Sequence, residues 1–316
     1  MMTLRGRSRL ALETVRRWQT LDELLPEVTV LIKSGGYDLL ESSPNSCMLT
    51  QTHHLTLDDP ATLWREPYST TLLPLVTGQD VYRSLDELLR WWREASEGRK
   101  TLGAALDGVY LMWPSRETWG IPLLYQHSFI PQTTLAIRER GEGPPARAAT
   151  GHDRIIRIAT LQDIEVIVSL WEEVVAYDAT LGVGNHLPHA PVLLRRATLA
   201  LFQRSEACIW LAEVDGNVVG LCVVDMPAFC VGVAPYVRKA QPAYISTLGI
   251  RMDHRGTGVG TALIEHVHST LNAVGHYSTI LHFAVLNPLS APFWARLEYR
   301  PLWTVWHRTE ITPTEE

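Results

Sequence analysis

The sequence predicts an α/β (α+β) protein of two domains, each a mixed, mostly antiparallel twisted sheet flanked by helices. Its length of 316 residues is a soft indication of two domains. A stretch at 141–153 that is rich in glycine, proline and alanine has linker composition, which predicts domains at 1–140 and 154–316. In the second segment a strand hairpin precedes an alternation of strands and helices, and this order favours a mixed sheet over a parallel one.

The composition is that of an ordinary globular protein, with 46% hydrophobic and 20% charged residues. The formal net charge is −6 and no long basic run occurs, so we expect no nucleic-acid partner. No apolar stretch approaches the roughly 20 residues that span a bilayer. The Arg-rich N-terminus lacks the apolar core of a signal peptide, and we therefore expect a cytoplasmic protein without a membrane segment.

The cysteines predict neither a metal site nor a disulfide framework. No CxxC pair and no Cys/His spacing typical of zinc occurs. Cys208 and Cys222 lie in apolar, strand-like stretches, where a cysteine is most simply a buried free thiol.

The second segment opens with a strand pattern at 155–159, followed by Thr160 and Asp163 as a capping box. Apolar residues at helical spacing predict a helix over 164–177 and a second one over 192–202. Asp215 and Gly216 form a hairpin turn between two strands. The remaining predicted elements are strands at 243–250, 279–286 and 302–308, and helices at 259–274 and 292–297.

A glycine-rich segment, RGTGVG at 255–260, lies between a predicted strand and an amphipathic helix. Glycines let backbone N–H groups turn toward one point, and a helix N-terminus attracts anions, so the segment is suited to a pyrophosphate. A plain tight turn is the alternative. The Walker phosphate loop is excluded because Lys33, Lys100 and Lys239 are the only lysines, and Thr261 fits a Rossmann fingerprint poorly.

With these residues the segment from Arg154 to Arg308 resembles the GNAT acetyltransferase superfamily. Arg255, Gly258 and Gly260 match the family's Gln/Arg-x-x-Gly-x-Gly/Ala motif after its fourth strand. The segment from Asn287 to Pro301 matches the later motif of the family in register, and the Asp215–Gly216 hairpin matches its second and third strands.

The resemblance implies acetyl-coenzyme A (acetyl-CoA) as co-substrate and a soluble cytoplasmic N-acetyltransferase that acts by direct transfer on a primary amine of a small molecule. A non-catalytic acyl-CoA-binding or regulatory module is the alternative. A backbone N–H near Leu248 would stabilise the thioester oxyanion. The implied cofactor-binding residues are Leu248, Ile250, Arg255, Gly256, Thr257, Gly258, Val259, Gly260, Thr261, Asn287 and Ser290.

The proton-transfer groups of the family are not at their usual positions. Ser246 and Thr247 replace the acidic residue on the fourth strand, and Trp294 replaces the usual tyrosine. The general base and acid are therefore unknown, and the candidates are Tyr299, His282 and Glu173, although His282 also fits a satisfied core histidine and Tyr299 a packing residue. Tyr177 and Ser246 are expected to bind the acceptor.

The N-terminal half resembles a second, degenerate GNAT domain that has lost its cofactor loop. Strand patterns at 48–57, 70–76, 108–113 and 133–137 surround a helix at 84–95, which Ser84 and Glu87 would cap. The segment that follows the second of these strands has a single glycine, Gly78. We expect this half to shape the acceptor cleft or a subunit contact, with a homodimer as one option for the assembly.

Overall fold

The computed structural model describes residues 4–100, 108–139, 154–206, 208–238 and 241–309. The predicted linker at 141–153 therefore lies outside the described residues. Within those ranges no helix is long and apolar enough to cross a membrane, and no group of three or more His, Cys, Asp or Glu side chains could hold a metal ion.

The N-terminal half alternates helices with five strands. In chain order its elements are α1 (Leu4–Leu21), α2 (Val28–Ser34), β1 (Asp38–Ser43), β2 (Ser46–His54), β3 (Tyr68–Val76), α3 (Val81–Lys100), β4 (Gly108–Pro114), α4 (Ile121–Gln126) and β5 (Ile130–Glu139).

The C-terminal half follows the predicted order element by element, and each element lies within a few residues of its predicted bounds. These elements are β6 (Arg154–Ile158), α5 (Ile164–Thr180), α6 (Ala190–Phe202), β7 (Ile209–Val214), β8 (Asn217–Asp225), β9 (Ala243–Ile250), α7 (Val259–Ala273), β10 (Ser278–Ala284), α8 (Ser290–Arg296) and β11 (Arg300–Thr309).

Local signals explain most of these boundaries. The capping box of Thr160 and Asp163 is present, and Asp163 also receives both guanidinium nitrogens of Arg157 at 2.7 and 2.8 Å. The expected cap of α3 was wrong, because the helix begins one turn earlier. Asp80 rather than Ser84 caps it, and the Asp80 carboxylate accepts the N–H of Arg83 at 2.9 Å.

All strands belong to one mixed, mostly antiparallel sheet of the order β1-β2-β3-β4-β11-β5-β10-β9-β8-β7-β6. The last strand, β11, lies between β4 and β5 of the N-terminal half, and β5 in turn pairs with β10 of the C-terminal half. Each half therefore supplies a strand that completes the other. The division at 1–140 and 154–316 stays a prediction, since a fragment ending at residue 140 would lack β11.

The sheet contains two parallel pairs, β3 with β4 and β9 with β10. Three antiparallel pairings separate β4 from β10, so the two pairs run in opposite directions. Pairing stops after Leu72–Leu111 in one and after Ile245–Leu281 in the other, although the strands continue. Two wedges result, at opposite ends of the sheet, and the start of β3 and β4 lies at the end where the β9–β10 wedge opens.

Apolar side chains cover both faces of this sheet. On one side of the C-terminal half, α7 packs Leu263 and Val267 against Ile245 and Leu281. On the other, α5 and α6 pack against β7 and β8. Burial of each such leucine or valine contributes about 1.5–3 kcal/mol, which fixes the wedge walls. Cys208 and Cys222 are buried free thiols as predicted.

Candidate active site

The candidate site is the wedge between β9 and β10. Its vertex follows the Ile245–Leu281 pair, where the strands part. A register shift opposite Val223 and Val224 leaves Ser246 as a bulged residue, and the Ser246 hydroxyl donates to the Val223 carbonyl at 3.3 Å. Beyond the bulge, residues 247–250 pair with β8 on one side, while no described strand pairs with their other side. This open edge can accept an extended ligand.

The glycine-rich loop meets the open edge at the start of α7. Gly256 and Gly258 have left-handed backbones, with φ of +74° and +86°, which favours glycine. Gly258 is the N-cap of α7 and supplies no side-chain cap, and the first helical bond joins the Ala262 N–H to its carbonyl at 3.1 Å. Within the described residues the amides of 256–261 make no hydrogen bond. These N–H groups and the helix dipole form an anion site.

Two arginines and one tyrosine brace this loop. Arg255 donates from Nε to the Ile250 carbonyl at 3.1 Å, and its guanidinium lies 5.1 Å from the centroid of the Tyr177 ring. Arg154 donates to the Thr257 carbonyl at 2.5 Å. Tyr177, expected to bind the acceptor, thus supports the cofactor loop. Arg154 had no signal in the sequence because it comes from β6, far along the chain.

The opposite wall is the turn from β10 to α8. The Asn287 side-chain oxygen accepts the Leu289 N–H at 3.0 Å, and the Ser290 N–H bonds to the Asn287 carbonyl at 3.2 Å. Among the described residues the side-chain NH₂ of Asn287 makes no hydrogen bond, so it can donate into the wedge. The structure therefore brings 248–250 and 255–261 together, and a Cβ added at Gly260 would lie 3.4 Å from Ile250 and 3.5 Å from Phe293 of α8, the helix that follows 287–290.

Two of the three expected proton-transfer residues lie away from the vertex. Tyr299 is buried, with its hydroxyl 2.6 Å from Thr279 Oγ1 and 2.8 Å from His268 Nε2. Thr279 pairs with Ala243 at the closed end of the wedge, so Tyr299 is a packing residue of the core. Glu173 forms an ion pair with Arg251, just after β9.

The third candidate, His282, is the first residue of β10 beyond the last paired position, at the vertex. Its Nδ1 lies 3.1 Å from the hydroxyl of Tyr244 on β9, and both side chains are half-buried. Burial and, secondly, the charge of Arg65 lower the pKa of His282 to about 4. The imidazole is therefore neutral at pH 7 and able to accept a proton. Tyr244 carried no recognisable signal in the sequence.

A desolvated carboxylate lies at the C-terminal end of α5. Asp178 lies in the last turn of α5, where its carbonyl accepts the N–H groups of Leu181 and Val183. Burial raises the pKa of Asp178 to about 6, and no described residue bonds to its carboxylate. A helix C-terminus also disfavours an anion. Uncompensated carboxylates of this kind occur preferentially at functional sites.

The N-terminal half contacts the loop that follows α5. The loop after α5 is pinned to the segment before β3, because the Asn185 N–H donates to the Leu63 carbonyl at 2.8 Å. Gln132 of β5 donates to the Gly182 carbonyl at 2.9 Å. At Gly184 an added Cβ would lie 2.3 Å from the Leu63 oxygen, which shows how closely the two backbones approach.

The corresponding wedge of the N-terminal half, between β3 and β4, is closed. Arg17 of α1 donates to the Val76 carbonyl and forms an ion pair with buried Glu117, Nε to Oε1 at 2.5 Å. At the start of α3 the Asp80 carboxylate caps the helix, at the position that corresponds to Gly258 before α7. A carboxylate there repels an anionic ligand.

Comparison with known proteins follows the same line. Residues 176–299 match the acetyltransferase (GNAT) family. A GCN5-related N-acetyltransferase from Sphaerobacter thermophilus shares the fold, with a TM-score of 0.61, 16% identity and coverage of 96% of this chain and 91% of that one. A functionally unknown conserved protein from Staphylococcus epidermidis gives a TM-score of 0.50 at 13% identity, with coverage of 89% of this chain and 96% of that one. A search of curated proteins found no match.

At these identities the structural likeness shows the fold alone. The family match shows that the chain contains a GNAT acetyltransferase domain and is an acyltransferase. Members of the matched family use acetyl-CoA and act on an acceptor substrate.

Proposed function

We propose that this GNAT acetyltransferase binds one acetyl-CoA in the β9–β10 wedge and transfers the acetyl group directly to a primary amine of a small molecule. The observation that carries the proposal is the meeting of an unpaired strand edge at 246–250 with the free amides of 256–261. An extended ligand with a diphosphate at one end fits both features.

The chain offers a partner for each part of such a ligand. The amides of 256–261 would hold the pyrophosphate, with Arg154 and Arg255 adding positive charge behind them. The backbone of Leu248 and Ile250 and the side chains of Asn287 and Ser290 would hold the pantetheine arm. Acetyl-CoA supplies an activated acyl group: a neutral amine attacks its carbonyl carbon to form the amide C–N bond, the C–S bond breaks, the amine loses a proton, and coenzyme A leaves as the thiolate and is protonated to the thiol.

The remaining work of the protein is to place and deprotonate the amine. A backbone N–H near Leu248 would polarise the acetyl oxygen, and Ser246, two residues earlier on β9, would then lie beside the acceptor. Neutral His282 lies at the vertex and accepts a proton from the amine, while the Tyr244 hydroxyl orients the imidazole. Asp178, ionised at neutral pH, is the second proton acceptor on the acceptor side and would also attract the ammonium form.

The assignment of His282 is tested by thiol release from acetyl-CoA with a panel of primary amines. His282→Gln should lower kcat by about 10²–10⁴-fold with little change in the affinity for acetyl-CoA. His276→Gln, which removes an imidazole that follows α7, is the matched control and should retain wild-type turnover.

Two outcomes would count against this function. Tight binding of acetyl-CoA without thiol release for any amine would favour a non-catalytic acyl-CoA-binding module. Equal turnover by the two histidine variants would remove His282 from the reaction.

A further inference from the structure

One cation of the N-terminal half, Arg65, has no counter-ion among the described residues. Arg65 lies between the turn at Pro60–Leu63 and β3. Its guanidinium is 4.7 Å from the centroid of the Tyr110 ring and donates to Thr71 Oγ1 at 3.2 Å. Among the described residues no Asp or Glu forms an ion pair with it. A half-buried guanidinium with only a ring and a hydroxyl as partners retains donors for an anion.

The neighbouring residue holds this cation in place. The carboxylate of Glu66 accepts the Tyr110 hydroxyl and lies 3.2 Å from His307 Nε2. Tyr110 and His307 also stack, with their ring centroids 4.8 Å apart. Glu66 is held by Tyr110 of β4 and His307 of β11, and the Tyr110 ring packs against the Arg65 guanidinium. These contacts fix the position of Arg65 before a ligand binds.

Arg65 lies at the same end of the sheet as the opening of the β9–β10 wedge, with β4, β11 and β5 between β3 and β10. The start of β3 and β4 lies at the end of the sheet where the β9–β10 wedge opens. The carbonyl of Leu63 accepts the N–H of Asn185, in the loop that follows α5. The charge of Arg65 is felt by groups of both halves. Burial first, and this charge second, lower the pKa of His53 and of His282 to about 4.

We define the Arg65 cluster as Arg65 and Thr71, together with the side chains whose pKa the charge of Arg65 affects and their hydrogen-bond partners, which are Tyr37, His53, Tyr236, Tyr244 and His282. Within it, the hydroxyls of Tyr37 and Tyr236 are 2.6 Å apart, and the Tyr244 hydroxyl is 3.1 Å from His282 Nδ1. His53 Nε2 lies 3.4 Å from Thr71 Oγ1. Its two histidines are neutral at pH 7, so Arg65 supplies its positive charge. Five members, Arg65, His53, Tyr236, Tyr244 and His282, keep part of their surface exposed.

We propose that Arg65 binds a carboxylate of the acceptor, so that the substrate class is an amine that also carries a carboxylate, as an amino acid does. This inference rests on the proposed acetyl transfer at the β9–β10 wedge. A planar guanidinium pairs with a carboxylate through two parallel hydrogen bonds. The neutral hydroxyls and imidazoles around it suit a single negative charge, whereas a phosphate would call for a second cation, which the described members of the cluster do not supply.

The binding of a carboxylate would also serve the vertex. A negative charge beside Arg65 offsets the positive charge that lowers the pKa of His282, and the imidazole becomes a better proton acceptor when the acceptor is in place. The N-terminal half thus acquires a role in substrate recognition without a cofactor of its own.

The test compares proteinogenic amino acids with the matching amines that lack the carboxylate, such as tyrosine with tyramine and lysine with cadaverine. Thiol release at saturating acetyl-CoA gives kcat/KM for each, and calorimetry in the presence of coenzyme A gives affinity. Wild-type protein should prefer the carboxylate-bearing member of at least one pair by about tenfold to a hundredfold, as expected for a charged hydrogen-bonded pair.

Arg65→Gln should reduce this preference to near unity, while Arg65→Lys should retain only part of it because the ammonium lacks the planar fork. Arg83→Gln, which removes an exposed guanidinium paired with Glu87 on α3, is the control for loss of one charge and should keep the preference. Should Arg65→Gln fail to fold, competition by the deaminated acid 3-(4-hydroxyphenyl)propanoate for the wild-type protein tests the same contact.

Several results would overturn the proposal. These are equal wild-type rates and affinities for both members of every pair, an Arg65→Gln variant that keeps the preference, and a lack of any amino-acid binding by protein that does bind acetyl-CoA. Failure to bind acetyl-CoA at all would refute the proposed function instead, so the two failures are distinguishable.

Discussion

Replacement of Gly258 by alanine should weaken the binding of acetyl-CoA without disrupting the fold. Gly258 has φ of +86°, and a left-handed backbone costs an L-residue about 1–2 kcal/mol. An added Cβ would also lie 3.2 Å from Nη1 of Arg154, a flexible tip that can shift. If the empty loop relaxes out of the left-handed form, this strain must be restored on binding, and Kd rises about 5–30-fold.

Gly275→Ala is the matched control for backbone strain. Gly275 follows the opposite end of α7, has φ of +87°, and an alanine Cβ there would meet nothing within 4 Å. Both variants should lose a few degrees of Tm, measured by thermal unfolding, but calorimetry should show a weaker affinity for Gly258→Ala alone. Wild-type affinity in Gly258→Ala, or an equal loss in both variants, would refute the assignment of the loop.

Three further changes test the electrostatics of the fold. Asp163→Asn should lower the free energy of unfolding by about 2–3 kcal/mol at pH 7 and by less at pH 3. Hydrogen bonds from Arg157 hold the pKa of Asp163 below its unfolded value, so the stabilisation that they provide is lost as the pH falls. Urea unfolding of both proteins at the two pH values measures this difference. Asp178→Asn should be more stable than wild type at pH 8 by up to about 3 kcal/mol, because burial raises the pKa of Asp178 to about 6. This advantage should vanish below about pH 4, where the carboxyl group is protonated in both the folded and the unfolded state. A stability difference that does not change with pH would contradict this prediction. Arg17→Met should lower stability by about 3–5 kcal/mol, because Glu117 would remain buried without its cation; a neutral effect in urea unfolding would show that the contact does not close the N-terminal wedge.

Features set by neighbouring residues could be predicted from the sequence. The start of α7 follows from three glycines at alternate positions, and the capping box of α5 follows from Thr160 and Asp163. The cap of α3 was missed because Asp80 and Ser84 both fit a cap pattern four residues apart, and packing decides between them.

Features that depend on distant parts of the chain could not be predicted. Strands β5 and β11 have similar patterns, so the exchange that places β11 beside β4 leaves no trace in either one. Arg65 is a single arginine in a loop, and its proposed role depends on contacts with Tyr110 and, through Glu66, with His307, and on the wedge of the other half. Tyr110, His307 and that wedge are all distant from Arg65 in the sequence. Conversely, Tyr299 occupies a motif position that suggested chemistry, yet its hydroxyl is bonded within the core to Thr279.

The central claim is that one wedge of this two-fold arrangement binds acetyl-CoA and the other is closed. Calorimetric titration of the full-length protein measures the number of sites directly. The account predicts one acetyl-CoA per chain, with binding abolished by Arg255→Glu combined with Gly258→Val. Two sites per chain, or undiminished binding in that double variant, would contradict it.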